Sequence, residues 1–211
     1  MDKKKAFRLS VVFGLIYFFS TNGMASLPSL AVSYILKDVL KMTASQAAYF
    51  SAVTILGWFI KPLWGMISDA FPLFGYRRKS YLIFTAVAGS AIWFALGRIP
   101  DAGYTVGFLM AMFILSSLMY SFNDVVCDGL MVQTGKPHGL TGKFQSWQWG
   151  AVYGAGIITS LAGGWAAAHL TNQTIFSVNA AFPLIVALLV VFMVTEEKTG
   201  SRKESWDKNV A

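Results

Sequence analysis

Three charged side chains stand where charge is costly: Lys61, Asp124 and Asp128 each lie inside a long apolar run. An ionised group in a hydrocarbon slab costs at least a few kcal/mol unless it is paired or wetted, so such residues are functional candidates by default. At about 1.5 Å of helix per residue, Lys61 falls about 7 Å and Asp124 about 9 Å to the same side of the middle of their runs. Asp128 is one turn further along the face that carries Asp124. Two readings follow. In the first, Lys61 and Asp124 line a polar cavity, with Asn22, Asn123, Gln145 and Gln148, and bind a solute or exchange a proton. In the second, they form a buried ion pair that only joins two helices.

The elements that must position these groups are membrane helices. Of 211 residues, 55% are hydrophobic and 13% charged, and the mean hydropathy is +0.56. A soluble domain carries about 25% charged residues, so this composition excludes an ordinary soluble enzyme. It also excludes a disordered chain. The single Cys127 excludes an internal disulfide or a cysteine zinc site. No nucleophile–base set or metal-ligand constellation is present, so neither an enzyme, a cofactor nor a metal is expected. Charge-free runs predict an all-α membrane protein of six transmembrane helices, at about 9–36, 43–68, 80–97, 102–133, 144–168 and 175–195. Residues 1–195 form the membrane domain and 196–211 a polar, mobile tail. Lys3, Lys4 and Lys5 before an apolar run mimic a signal peptide, but the run is too long for a secretory core and five spans follow.

Net charge is +7, yet its placement points away from nucleic acid. Thirteen of the 17 basic residues fall on one side of the six spans, three on the other, and Lys61 within a span. The positive-inside rule then places both termini in the cytoplasm, with the lipid bilayer as the surrounding partner. Local signals agree. Thr43-Ala-Ser-Gln46 is a capping box that opens span two, and Pro62 predicts a kink beside Lys61. Gly150 and Gly154 form a small-xxx-small pair for close helix approach. Spans three and six carry few polar groups and are expected to face lipid. The order polar, polar, apolar occurs twice, as two inverted three-helix repeats would produce.

The loop after span two is the most specific stretch: Gly65-Met-Ile-Ser-Asp69-Ala-Phe-Pro-Leu-Phe-Gly75-Tyr-Arg77-Arg78-Lys79. Asp69 ends one helix and Arg77 and Arg78 open the next, which suits a cytoplasmic charge latch. Gly75 permits the reversal, and Gly65 is expected to allow close helix contact. A merely topological reading, in which the arginines hold the loop inside, stays open.

This stretch resembles the loop between helices two and three of the major facilitator superfamily. The longer form Lys61-Pro62-Leu-Trp-Gly65…Ser68-Asp69…Pro72…Gly75-Tyr76-Arg77-Arg78 resembles the folate–biopterin transporter family in particular. So do Asn123-Asp124-Val-Val-Cys-Asp128-Gly and Gly142-Lys-Phe-Gln145-Ser146-Trp-Gln-Trp149-Gly150. The resemblance implies one six-helix, major-facilitator-type half of a twelve-helix architecture. It also implies movement of a pterin or folate-like small molecule by alternating access, with a proton as the coupling ion. Lys61 would meet carboxylates, and Asp124 or Asp128 would carry the proton. Trp149 joins the substrate set through its motif, and Gly65, Asp69, Gly75, Arg77 and Arg78 form the latch. Such a half would work as a homodimer or with a separate C-terminal half. A non-transporting membrane adaptor or assembly factor with the same half fold is the alternative, and the buried charges argue against it.

Overall fold

The computed structural model describes residues 2–20, 23–196 and 198, so Asn22 and the tail residues 197 and 199–211 lie outside the described residues. Among the described residues, eight α-helices account for most of the chain: α1 Lys3–Phe19, α2 Ser29–Tyr34, α3 Ala44–Thr54, α4 Lys61–Ala70, α5 Lys79–Leu96, α6 Val106–Gly135, α7 Thr141–His169 and α8 Asn172–Met193. Among the described residues there is no strand, only one isolated bridge between Leu73 and Tyr76. Six stretches of the described residues are long and apolar enough to cross a membrane: Lys3–Val39, Ala44–Ala70, Lys79–Leu96, Val106–His138, Thr141–His169 and Asn172–Met193.

The first two spans are broken in mid-course. The run Leu9–Leu36, expected as one helix, stops at Ser20, turns through a tight 3₁₀ segment at Met24–Ser26, and resumes after Pro28 as α2. Proline lacks the N–H that a continuous helix needs and its ring collides with the carbonyl four residues back. Hydroxyls take up some of the freed carbonyls: Ser20 donates to Tyr17 O at 2.9 Å and Ser26 to Gly23 O at 2.7 Å. In span two, α3 opens with the predicted capping box. Gln46 N–H donates to Thr43 Oγ1 at 3.3 Å, and Thr43 N–H donates to Gln46 Oε1 at 2.9 Å. The helix ends at Thr54, a 3₁₀ turn follows at Leu56–Trp58, and α4 restarts at Lys61. Pro62 therefore sits in the first turn of a new helix, where its missing N–H is no loss. The bend precedes it.

Span two packs on α6 through that break. A Cβ added at Gly57 would lie 2.9 Å from Leu118 N and from the Ser117 carbonyl carbon. Gly65, expected to be the close-contact residue, would meet only Val125 Cγ1 at an ordinary 3.7 Å. A Cβ added at Gly150 or Gly154 would meet nothing within 4 Å, so among the described residues neither glycine marks a close helix approach. Gly163 is the glycine of α7 that admits another segment, since a Cβ there would fall 2.8 Å from Leu27 O.

The bundle pairs α5 with α8, α1 with α7, α4 and the turn before it with α6, α5 with α6, and α1 with α8. Its apolar core forms two layers. One gathers Phe13, Tyr17, Leu82, Phe122, Val126 and Phe144. The other gathers Ile35, Trp93, Leu96, Leu109, Ile175 and Phe176. Spans three and six, expected to be peripheral, are about 39% and 44% buried along their most apolar windows, against 17% and 22% for spans two and five. They bury one another, which leaves the uncovered faces on spans two and five.

Two reciprocal contacts tie α5 to α8 at one end. The Glu196 carboxylate accepts the backbone N–H groups of Arg77 (3.1 Å), Arg78 (3.1 Å) and Lys79 (2.7 Å), capping the start of α5. Lys79 Nζ donates to Val191 O at 3.0 Å and Val194 O at 2.8 Å, capping the end of α8. Each charge meets the helix pole of opposite sign. The first residue of the expected tail is thus built into the bundle. At the other end, Asp101 accepts from Asn172 (3.0 Å) and Gln173 (3.2 Å). Tyr104 OH donates to Leu96 O at 3.1 Å. Burial, with the nearby Asp101 adding to it, pushes that phenol up to about 12.

Two predictions test this packing. Gly57→Ala should destabilise the protein by about 1–3 kcal/mol by overpacking, while Gly65→Ala should stay within about 0.5 kcal/mol; thermal unfolding in one detergent compares them. Glu196→Gln should cost about 1 kcal/mol and speed amide exchange at residues 77–79 specifically, as read by hydrogen–deuterium exchange.

Candidate functional site

The ammonium of Lys61, the first residue of α4, lies 2.7 Å from Asp124 Oδ2 on α6. The carboxylate side is nearly closed off, at 9% exposure, whereas the lysine keeps 35%. Lys61 Nζ also stands 4.5 Å from the Trp58 ring centroid, so the aromatic face of the preceding turn supports the same charge. One turn on, Trp64 Nε1 donates to Ser121 Oγ at 3.0 Å and its ring stacks on Phe122 at 4.7 Å. These contacts fix α4 along α6 and hold the ion pair in register.

Asp128 is held separately, at the meeting of three helices. Its Oδ1 accepts Tyr17 OH from α1 at 2.6 Å and Gln148 Nε2 from α7 at 3.3 Å. Tyr17 is the site residue that sequence reasoning missed. Its one signal was chemical: a phenol in the middle of an apolar run needs a polar partner once buried, and Tyr17 is 1% exposed. A narrow cavity runs beside it, lined by Ser20, Tyr120, Asn123, Asp124 and Cys127.

Other expected members go elsewhere. Asn123 touches that cavity, but its amide donates to Thr85 Oγ1 at 2.7 Å and Leu82 O at 3.1 Å, fastening α6 to α5. Gln145 and Trp149 are exposed on successive turns of α7, where Trp149 leans on Tyr153 at 5.6 Å. Trp149 is rotated about 100° from Gln148, the residue that reaches Asp128, and Gln145, nearer to Gln148 in rotation, stays exposed one turn earlier. They contact neither Lys61 nor either carboxylate through any hydrogen bond among the described residues. Asn22 lies outside the described residues.

The loop after α4 brings Asp69 and Arg78 together. The Arg78 guanidinium pairs with the Asp69 carboxylate and donates to Ser68 Oγ at 2.9 Å. Gly75, at φ +84°, makes the reversal. The guanidinium occupies the space above Gly129 of α6, where an added Cβ would lie 2.7 Å from its Cζ. The pair therefore reaches α6 one residue beyond Asp128. Arg77 contributes its backbone N–H to Glu196. Gly65 supports no close approach here, because its surroundings leave room for a methyl group.

The BT1 family profile matches residues 22–210. The chain is 34% identical over 191 residues to the "Folate-biopterin transporter" of Synechocystis sp., covering 90% of this chain and 37% of that protein. It is 34% identical over 176 residues to "Probable folate-biopterin transporter 4" of Arabidopsis thaliana, covering 82% and 35%. It is 27% identical over 185 residues to "Folate transporter 2" of Plasmodium falciparum, covering 86% and 40%. The chain thus spans roughly two-fifths of the length of these relatives. No solved structure matches significantly. A profile match over almost the whole chain and relatives of 34% identity show that this chain, with its six membrane-length helices among the described residues, belongs to the BT1 family, the folate–biopterin transporter family.

Proposed function

We propose that this chain forms one six-helix half of a membrane transporter that moves a pterin or folate-like solute by alternating access, coupled to protons. The observation that carries the reading is the Lys61–Asp124 pair, 2.7 Å apart within the spans and still open to one side through the lysine. A bound anion can take the lysine from Asp124, and the released carboxylate then favours a proton over an unpaired charge. Asp128, held by Tyr17 and Gln148, provides a second proton position that links α1 and α7 to the same event.

The packing supports an inverted-repeat half. The most extensive helix pairs exchange when spans one, two and three are swapped with four, five and six: one-with-five becomes four-with-two, one-with-six becomes four-with-three, and three-with-six maps onto itself. The uncovered faces on spans two and five are where a second copy or a separate half would dock, with the solute path between the halves. With both termini in the cytoplasm, Asp69–Arg78 lies on the cytoplasmic side and stabilises the state closed to that side.

Uptake of labelled folate or biopterin by cells making the chain tests the reading. Lys61→Ala and Asp124→Asn should each lower uptake, expressed per molecule present in the membrane, at least tenfold. Wild-type uptake by either variant would show that the ion pair only joins helices.

A further inference from the structure

A cavity of about 170 Å³ opens where the breaks of spans one and two face α6. Its walls are unusual for a membrane interior. Trp58, Trp93, Phe113 and Tyr120 supply flat aromatic surfaces, and Ser116 and Ser117 supply hydroxyls. Trp93 and Phe113 meet edge to face at 5.6 Å, so two of the walls are fixed against each other. Ser117 Oγ is buried and has no hydrogen-bond partner among the described residues. A buried hydroxyl left unpaired is destabilising, and such groups in native proteins commonly await a partner from outside.

The cavity adjoins the charged site, sharing Tyr120 with the narrow cavity beside Asp124. Phe113, Ser117, Tyr120, Asp124 and Asp128 follow one another at three- and four-residue steps, which places them on one stripe of α6. Trp58 joins the two regions, since its ring lines the cavity and also faces the Lys61 ammonium at 4.5 Å. A lipid tail would have no use for the hydroxyls, and a small inorganic ion would have no use for the rings. A flat heteroaromatic ring with hydrogen-bonding edges uses both.

We propose that this cavity is the ring subsite of the transport path: it clamps the flat, hydrogen-bonding heteroaromatic ring of the solute against Phe113 and Trp58, bonds the ring edge through Ser117, and directs the remainder of the molecule along α6 toward Lys61. The proposal rests on the transport reading and names the part of the site that reads the ring.

Equilibrium binding to the purified chain in lipid nanodiscs tests it, with biopterin as a ring lacking carboxylates and folate as a ring carrying them. Phe113→Ala and Ser117→Ala, the second of which only removes a hydroxyl, should each weaken both ligands by about fivefold or more. Lys61→Met should weaken folate by at least tenfold and biopterin by less than threefold. If both ligands bind and the two cavity variants leave biopterin affinity unchanged, the ring lies elsewhere and the proposal is overturned, while the transport reading stands. If the wild-type chain binds neither ligand, the ring subsite is overturned, because its walls all belong to this half, while the transport reading, which places the solute path between two halves, is decided by the uptake experiment.

Discussion

A lysine and an aspartate within an apolar bundle must find each other, and the geometry around Lys61 and Asp124 follows from that requirement. Lys61 reaches α6 because span two stops and restarts immediately before it, so the side chain leaves from the first turn of α4. The restart can lie close to α6 because Gly57 has no side chain to hold the backbones apart. Trp58 and Trp64 then bracket the charge, one beneath the ammonium and the other stacked on Phe122. Removing one charge would strand the other in a poorly solvated site, which costs more than the pair itself contributes.

The rest of the bundle divides around this seam. α5 and α8 bury one another and exchange end contacts through Lys79 and Glu196, so they behave as a framework. The interrupted spans one and two meet the polar stripe of α6, with Asp128 joining α1 and α7 to it. Irregular backbone is tolerated at membrane depth only where protein or a cavity covers it. Here Gly163 receives the Leu27 carbonyl, and α6 receives the turn at Gly57. Rigid and interrupted elements are thus segregated, with the charges placed along the interrupted side.

How much of this was legible in the sequence depended on the range of the interaction. The capping box at Thr43 is local, and its two hydrogen bonds are present. The shared depth of Lys61 and Asp124 followed from counting along two helices, and the residues are in contact. The Asp69–Arg78 pair spans one short loop and was visible for the same reason. Rotation about a helix axis was not visible. Depth alone could not say that Asn123 turns to α5 or that Trp149 turns away from the carboxylates. Nor could it separate Gly57, which is pressed against α6, from Gly65, which is not. Tyr17 and Glu196 act across more than 100 positions, on partners that no pattern near them announces. The break in span one was hidden because a glycine and a proline in an apolar run leave the hydropathy almost unchanged.

The ion pair also has a consequence during synthesis. Its two members are 63 positions apart, and span two leaves the ribosome well before span four. At about 5–20 residues per second, Lys61 waits on the order of 3–13 s for its counter-charge. The nascent chain must therefore carry a lone cation at the edge of the bilayer through that interval. Trp58 lies in the same span and gives the ammonium an aromatic face from the outset, and a long alkyl stem lets the head group reach toward water. The ring next to Lys61 can thus support the lone cation before Asp124 arrives, as it supports the paired one afterwards.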